Sequence, residues 1–345
     1  MGIIIRKSGL YTTIQDYGRV GYQESGFSVC GAMDKRSLKI ANILVGNPVD
    51  EAVIEMTLIG PTLEFTESNI IAITGGNLRP KLNGQRVHTY QALLIKAGDV
   101  LSFEYAKSGC RAYIAFAGGL KVPKVMGSKS TYVRCQIGGY KGRTLQAGDY
   151  IKFESPKDYL PYFLSRKINY MHKNESEVTL RVIRGPQDTA FTENGLKTFF
   201  SSPYKVTNEN DRMGCRLDGP VIEHKASADI ISDGIALGSI QVPSHGKPII
   251  MMSDRQTTGG YTKIATVISV DIPKLAQRKA GDTIHFKEIT LKEAQELYRE
   301  EQLLFKTITK NVHKPCMEVL EPRTASRRIE KLLEKDQNPF EQQSK

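Results

Sequence analysis

The stretch from Gly238 to Asp271, GSIQVPSHGKPIIMMSDRQTTGGYTKIATVISVD, decides the fold class of this chain. Its two apolar runs, Pro248 to Met252 and Ile264 to Val270, are short and rich in Ile, Met and Val. Runs of this kind are typical of buried strands. Between them lie nine residues, Ser253 to Tyr261, that are nearly all polar or Gly. The stretch therefore predicts two strands of a rigid sheet joined by a long polar segment.

The polar segment has two interpretations. A tight hairpin needs about two to five residues, and this segment is longer and carries Arg255, Gln256 and Tyr261 together. The pair Gly259-Gly260 would let backbone N–H groups approach a ligand closely. We interpret the segment as a ligand-binding loop held by a sheet. A solvated hairpin loop that only turns the chain is the open alternative.

Length and composition set the broad class of protein. A chain of 345 residues exceeds the usual size of one core, so we expect two domains. The hydrophobic share of 40% and charged share of 25% are those of an ordinary globular protein. No apolar run reaches the ~20 residues of a membrane span, and the first residues do not resemble a signal peptide. We expect a cytoplasmic protein that does not bind a membrane.

The cysteines, histidines and net charge argue against several functions. The five cysteines form no CxxC pair and the six histidines no HxxxH pair, so we expect no structural metal. The formal net charge is +11, but Lys and Arg are spread along the chain and no nucleic-acid-binding motif appears. We favour a basic solvated surface, or a face that attracts anions, over nucleic-acid binding.

A recurring turn indicates a mostly β fold. Ala-Gly-Asp, one residue, an aliphatic residue, one residue and Phe occurs in Lys96–Phe103, Gln146–Phe153 and Lys279–Phe286. Gly-Asp makes a turn, and the aliphatic residue and Phe share one face of the strand that follows. With the many double-Gly turns, this predicts barrels or sandwiches and gives the three Asp residues a structural role.

Helix signals and changes in composition suggest the domain boundaries. Asp34 to Val45 is predicted to be a helix capped by Asp34, and Thr290 opens a capping box. We place an N-terminal β domain at 1–165, a linker at 166–178 and a C-terminal β-barrel domain at 179–309. In that interpretation helix 291–308 packs on the second barrel, 310–345 is a polar tail, and Ser326–Lys335 forms a short helix within it.

Several motifs between about Gly9 and Phe286 stand out together, and they include the polar segment. They are Gly9–Gly21 (GLYTTIQDYGRVG), Gly31–Asp34 (GAMD), Asn42–Pro48 (NILVGNP), Glu55–Pro61 (EMTLIGP), Ala117–Gly119 (AGG), Gly127–Thr131 (GSKST), Asp211–Gly214 (DRMG), Gly238–Pro243 (GSIQVP) and Asp254–Tyr261 (DRQTTGGY). This set of motifs resembles the allophanate hydrolase subunit 2 family, also called the biotin-dependent carboxyltransferase-like family.

The resemblance implies a fold and an activity. The fold would be two cyclophilin-like β-barrel domains. The family includes the C subunit of 5-oxoprolinase and KipA-type proteins, so this chain would work with a smaller B-type (KipI-type) sister protein and with an A-type protein. Such a complex uses ATP to open 5-oxo-L-proline to L-glutamate, and the sequence does not tell which of the three proteins binds ATP. The Lys between two Met that marks a biotin carrier is absent, so this chain would not carry biotin itself.

The candidate site residues come from the polar segment and the Gly9–Gly21 motif. Opening a lactam requires neutralising carboxylate and phosphate charge, for which Arg is the natural ligand, and orienting an amide. We expect Arg255 to bind the anion, Gln256 and Thr258 to orient the substrate, and Tyr261 to stack or donate. Asp254 would orient Arg255 or act as a base, although a satisfied turn carboxylate is the simpler interpretation. The candidate substrate-binding residues are Thr13, Gln15, Asp16, Arg19, Arg212, Gln241, Thr257, Gly259 and Gly260.

Alternatives remain open for the site and for the function. Thr12 to Arg19 is equally compatible with packing between domains or between partner proteins. Gly127–Thr131 (GSKST) lacks the Gly-Lys-Ser/Thr of a phosphate loop, so we favour a Ser-rich turn over an anion site. The other functions considered are carboxyl transfer from a partner's biotin to urea or a similar amide, and a non-catalytic regulator that binds a kinase-inhibitor protein.

Overall fold

The computed structural model describes residues 1–170 and 175–315, which form two halves. The N-terminal half holds eleven strands and one helix, α1 (Lys35–Val45). The strands are β1 (Gly2–Lys7), β2 (Tyr11–Gln15), β3 (Val53–Thr57), β4 (Thr62–Phe65), β5 (Asn69–Asn77), β6 (Lys81–Leu82), β7 (Gln85–Arg86), β8 (Ala92–Ile95), β9 (Val100–Ser102), β10 (Ser108–Phe116) and β11 (Tyr150–Lys152).

The strands of the N-terminal half form two sheets with one apolar core between them. One sheet has the order β11-β1-β4-β9-β6-β7 and the other the order β2-β3-β10-β5-β8. Ile5, Leu63 and Phe65 of the first sheet share a buried cluster with Ile54 and Ile114 of the second. The expected mainly β fold is confirmed here, although the hydrogen bonds link these strands into two sheets rather than into one closed barrel.

The C-terminal half is a closed barrel with the strand order β12-β19-β16-β17-β14-β13-β20. It closes where β12 and β20 pair in parallel, so no edge of this sheet is left open. Its strands are β12 (Glu177–Arg184), β13 (Tyr204–Val206), β14 (Gly214–Asp218), β16 (Ser239–Gln241), β17 (Ile249–Met251), β19 (Lys263–Val267) and β20 (Thr283–Glu288).

The remaining elements of this half are a ribbon and three helices. The ribbon is β15 (Asp229–Gly234) paired with β18 (Thr258–Tyr261). The helices are α2 (Glu193–Ser201), α3 (Ile272–Ala276) and α4 (Leu291–Val312). No helix within 1–170 or 175–315 is long and apolar enough to span a bilayer.

The repeated Ala-Gly-Asp turn has the structural role expected of it. Asp99, Asp149 and Asp282 each accept a hydrogen bond from the backbone N–H three residues earlier, at 2.7, 2.7 and 3.1 Å. The preceding glycine has a φ of +88°, +90° and +89° in the three turns, a backbone conformation that glycine adopts without strain. The turns therefore start β9, β11 and β20 in the same way.

The helix predicted at 291–308 packs on the N-terminal half, which corrects the expectation that it covers the second barrel. Its capping box at Thr290 is present, and the helix continues to Val312. Phe305, Ile308 and Val312 join the cluster formed by α1 and the outer face of the five-stranded sheet. Arg36 of α1 donates to Glu301 at 2.7 Å. The apolar face of α1 could not reveal that α4 packs on it, because the two helices are far apart in the chain.

The first part of the predicted linker at 166–178 pairs with the N-terminal half, which is a second correction. Ala92 N–H donates to Arg166 O and Ile168 N–H donates to Tyr90 O. The Arg166 guanidinium donates to Leu44 O at the C-terminal end of α1, at 3.1 Å. Strand β12 begins at Glu177. The predicted short helix at Ser326–Lys335 lies outside the described residues.

Candidate functional site

The domain interface, where Gly31–Asp34 and Glu55 of the N-terminal half meet Arg212 and Ser253–Arg255 of the C-terminal half, holds a buried ion network. Arg212 donates to both oxygens of Asp254, at 2.9 and 2.8 Å, and also to Glu55. It further donates to Gly31 O at 2.7 Å. Glu55 in turn accepts from Met33 N–H at 2.8 Å. The network ties β3 to the segments that precede β14 and follow β17.

The network leaves Arg212 and Asp254 little capacity for a ligand. Burial alone would lower the pKa of Arg212, but Asp254 and Glu55 raise it well above the usual range. The guanidinium therefore stays charged, with all three of its nitrogens bonded. This geometry favours the interpretation of Asp254 as a carboxylate whose hydrogen bonds are already made, rather than as a base or as a partner of Arg255. It also gives Arg212, which the sequence suggested as a substrate-binding residue, a structural role.

Asp16 lies at the centre of a second polar cluster. Its carboxylate accepts from Ser128 Oγ at 2.7 Å, from Lys129 N–H at 2.6 Å, from Gly18 N–H at 2.8 Å and from Ser130 Oγ. The turn at Gly127–Thr131 therefore binds a carboxylate of the chain itself, and this accounts for Ser128 and Ser130. Thr131 Oγ1 donates to Ile14 O at 2.9 Å, so the whole turn is fixed against β2.

Beside this cluster, two buried side chains keep polar atoms without a partner among the described residues. Arg19 is 1% exposed and donates through Nη2 to Ser130 O at 2.6 Å, while its Nε and Nη1 have no partner. Gln15 donates to Thr13 Oγ1 and Thr131 O, both at 3.1 Å, and its Oε1 has no partner. Buried polar atoms are rarely left unpaired, so these two positions are candidates for contact with a ligand.

Arg255 is buried at the domain interface without a carboxylate beside it. Its Nε donates to Ile235 O at 3.0 Å and its Nη1 to Met252 O at 3.4 Å. Its backbone carbonyl accepts from Ser28 Oγ at 2.8 Å. Burial lowers the pKa of Arg255, because removing a cation from water disfavours its charged form. This guanidinium is positioned by backbone groups, and its charge is not balanced by a direct ion pair within 1–170 and 175–315.

The rest of the polar segment lies on the surface, where it pairs with another strand. Thr258 to Tyr261 form β18, paired with β15 and not with β17 or β19, so the segment is not a simple hairpin loop. Gln256 and Thr258 are exposed, Thr257 is half-buried, and Tyr261 is 41% exposed. Only Asp254 and Arg255 of the five residues expected to be catalytic are therefore buried at the domain interface.

Gly259 brings the ribbon close to Gln241 of β16. A Cβ atom on Gly259 would lie 2.8 Å from Gln241 Nε2 and 2.6 Å from Ile235 Cδ1, so a larger residue would require the ends of these two side chains to move. Gln241 is 5% exposed, and its Nε2 has no partner among the described residues. Gly260 is half-buried and has ordinary space around it. Gln241 is thus available to a ligand, whereas Gly259 has a packing role.

Two residues that the sequence did not single out lie beside these groups. Lys35, the first residue of α1, has its Nζ 4.3 Å from the centroid of the Tyr17 ring. Burial and then Arg255 lower its pKa to about 8, while Asp16 acts in the opposite direction. Burial and then Asp254 raise the pKa of Cys30, so the thiol stays protonated and is a poor nucleophile. Neither position carries a local sequence signal, since both environments are built by residues from elsewhere in the chain.

Known proteins resemble this chain in sequence and fold. Residues 25–288 match the family described as carboxyltransferase domain, subdomain A and B. The chain belongs to this family.

Individual relatives cover nearly the whole chain. It is 37% identical over 310 residues to the C subunit of 5-oxoprolinase from Escherichia coli (strain K12), covering 90% of this chain and 98% of that protein. The crystal structure of the K. lactis urea amidolyase superposes with a TM-score of 0.82 and 29% identity over 89% of this chain, which spans only 20% of that longer chain. The crystal structure of TTHA0988 gives a TM-score of 0.74 and 30% identity over 83% of this chain and 55% of that chain.

Proposed function

We propose that this chain is the C-type component of an ATP-dependent 5-oxoprolinase complex, which opens 5-oxo-L-proline. The reaction is 5-oxo-L-proline, ATP and water to L-glutamate, ADP and phosphate. The observation that carries the proposal is the near-full-length similarity to the C subunit of 5-oxoprolinase, at 90% of this chain and 98% of the relative. The Haemophilus influenzae protein of the same name is also 37% identical, over 300 residues. A component of this name implies partner proteins, which we take to be of the B and A types.

In this proposal the buried and exposed parts of the polar segment have different tasks. Arg255 holds the negative charge of the substrate, because its guanidinium has no competing carboxylate among the described residues. Gln256 and Thr258, at the exposed edge, orient the lactam amide, and Tyr261 stacks against it or donates a hydrogen bond. Their exposure suits residues that complete a site only when a partner protein covers them.

In this proposal, another component of the complex binds the nucleotide. The turn Gly127–Thr131 is the segment of this chain closest in sequence to a phosphate loop, yet its Ser hydroxyls and its Lys129 N–H are bonded to Asp16. A triphosphate would have to displace that carboxylate, so the turn does not fit ATP. We therefore derive no step of ATP chemistry from the residues of this chain.

Reconstitution tests the proposal. The full chain, purified with its A-type and B-type partners, should release glutamate from 5-oxoproline only when ATP is present. Arg255→Met should lower kcat/KM by roughly tenfold or more, the cost of one charge-assisted contact. Arg216→Met, which removes a guanidinium that is 43% exposed on β14, is the matched control. Full activity of the Arg255→Met complex would remove the site assignment. Tight partner binding without turnover in any combination would instead favour the regulator.

Carboxyl transfer to urea or a similar amide is the second candidate, favoured by the family description and by the likeness to urea amidolyase from Saccharomyces cerevisiae, 32% identical over 323 residues. Because this chain has no biotin carrier motif, such a reaction needs biotin on a partner. Avidin would then abolish turnover, whereas the 5-oxoproline reaction should be insensitive to it.

A further inference from the structure

Three cations near the domain interface have no carboxylate within 4 Å among the described residues, and their surroundings overlap. They are Arg19, Lys35 and Arg255. Arg19 is covered by the turn at Gly138, where a Cβ atom would lie 2.7 Å from the Arg19 Nη2. Its Nε and Nη1 are fully buried and make no hydrogen bond to a described residue. A guanidinium in this state lacks the acceptors that normally offset its loss of hydration.

One backbone segment, Ser28 to Ala32, joins the surroundings of these cations. Arg19 N–H donates to Val29 O at 2.8 Å, and Ser28 Oγ donates to Arg255 O at 2.8 Å. The Cys30 thiol of the same segment interacts electrostatically with both guanidinium groups. Lys35 follows three residues after Ala32 and is within range of Arg255. Arg19 and Arg255 therefore contact neighbouring residues of one short stretch of chain, and Lys35 lies close after it in sequence.

The carboxylates of this region already have other partners. Asp16, which interacts electrostatically with Lys35, already accepts hydrogen bonds from four donors in Gly18 and the Gly127–Thr131 turn. Asp254 and Glu55 both accept from Arg212. Lys39, the other charged group acting on Lys35, is a further cation, and its Nζ lies 4.8 Å from the Phe305 ring centroid. Within 1–170 and 175–315, the positive charge of the three cations is therefore not matched by direct ion pairs.

We propose that Arg19, Lys35 and Arg255 form a binding site for a small oxyanion, with Lys35 as the member that the sequence does not reveal. Its ligand is a carboxylate, such as that of 5-oxoproline, or a phosphate. The choice of 5-oxoproline rests on the proposed function, whereas the anion site itself rests on the unpaired guanidinium and ammonium groups. Because guanidinium groups do not lose their proton in proteins, Lys35 sets the pH range over which the site is fully cationic.

The site should lose affinity as pH rises. The groups that face Lys35 are Arg255, Asp16, Lys39 and the Tyr17 ring. Its pKa near 8 means that the ammonium is charged at pH 7 and neutral at pH 9.5. Anion binding should therefore weaken as pH rises through about 8, and this dependence should be absent from Lys35→Met.

The experiment measures binding to the full chain and turnover by the reconstituted complex. Calorimetric titrations use 5-oxoproline, its neutral analogue 2-pyrrolidinone, and inorganic phosphate. Lys35→Met, Arg255→Met and Arg19→Gln should each weaken 5-oxoproline binding by roughly tenfold or more. In the complex, Lys35→Met should raise KM for 5-oxoproline more than it lowers kcat. Lys306→Met removes the same charge from the exposed side of α4 and should change neither readout.

The outcomes separate the two proposals. Binding of 5-oxoproline but not of 2-pyrrolidinone identifies a carboxylate site, and binding of phosphate alone assigns the cluster to a phosphate group. Equal binding of 5-oxoproline and 2-pyrrolidinone, or wild-type affinity in Lys35→Met and Arg255→Met, would overturn the anion site even if the complex releases glutamate. Lys35-dependent anion binding in a chain whose complex never turns over would keep the site and reject the function. Lys35 is only partly buried, so we expect Lys35→Met to fold. It therefore still decides the test if Arg19→Gln fails to fold.

Discussion

Three buried guanidinium groups near the domain interface differ in what balances their charge. Arg212 has two carboxylates, Asp254 and Glu55. Within the described part of the chain, Arg255 has only backbone carbonyls as partners, and Arg19 has one carbonyl and two nitrogens without a partner. A buried charge that is paired serves structure, whereas an unpaired one costs stability and is a candidate for ligand binding. This contrast separates the residues that hold the halves together from those that we assign to an anion.

Lys35→Met should stabilise the free protein at pH 7. The pKa of Lys35 is lowered to about 8 from its ordinary value of 10.5, so the charged form is destabilised by folding. Between those two pH values the unfolded chain binds a proton that the native protein does not, and the stability of the wild type rises with pH. The variant should be more stable by about 1–3 kcal/mol at pH 7, and the difference should shrink towards pH 10.

Urea denaturation at pH 7 and pH 10 measures this difference directly. A variant that is less stable than the wild type by the same amount at both pH values would show that Lys35 is not electrostatically strained. The same measurement on Lys306→Met gives the effect of removing an exposed ammonium, which should be close to zero.

At the level of single residues, the sequence predicts what depends on near neighbours. The Asp34 cap was predictable, since its carboxylate accepts from Ser37 N–H three residues away, at 2.9 Å. The Gly-Asp turns were predictable for the same reason. The pairing of Glu55 with Arg212 joins residues 157 positions apart, and no local pattern specifies it. Lys35 was missed because only the folded chain brings Arg255 beside it.

Among the larger elements, the ribbon of β15 and β18 shows why the polar segment was only partly understood. The residue types of the polar segment predicted either a ligand-binding loop or a solvated loop. They did not predict a paired strand, because its partner β15 is itself largely polar, with the sequence DIISDG. A polar strand has no alternation of apolar residues to reveal it. The pairing divides the segment into buried Asp254 and Arg255 and an exposed strand with Thr258 and Tyr261.

Helix α4 stabilises the N-terminal half, because its buried residues face α1. Phe305→Ala should therefore cost about 3 kcal/mol of unfolding free energy. Hydrogen exchange should accelerate most in α1 and the strands beneath it, with smaller changes in β12, β16 and β19 of the barrel. Leu303→Ala, at a residue that is 60% exposed on the same helix, should have little effect. Faster exchange confined to the barrel would contradict this packing.

Across the whole molecule, polar contacts join the two halves at several places, such as Arg36 to Val270 O at 2.7 Å. Two buried groups of contacts stand out. One is the network of Arg212, Glu55 and Asp254. The other is Gln277, which follows α3 and donates to Asp34 at 2.9 Å while accepting from Arg111 N–H at 3.0 Å. Both lie at the domain interface, which also borders the proposed anion site. The resemblance of scattered motifs to one family anticipated the mainly β fold, but the sequence could not show that these motifs meet at this interface.

Arg212→Met should weaken the molecule far more than loss of a surface ion pair. Removing the guanidinium leaves Glu55 and Asp254 buried without their cation, which should cost about 3–5 kcal/mol. Arg216→Met, which breaks a pair with the exposed Glu209, should cost about 0–1 kcal/mol. Chemical denaturation of both variants compares them, and equal losses would show that the buried network does not hold the halves together.

The most direct test of the account is a difference electron-density map from crystals of this chain soaked with 5-oxoproline at pH 7. The expected result is density whose carboxylate contacts Lys35, Arg19 and Arg255, with the lactam ring directed towards Gln241 or Gln256. Density in the groove between α1 and α4, or an empty domain interface in crystals of a chain whose complex does release glutamate, would contradict the claim that this interface binds the substrate.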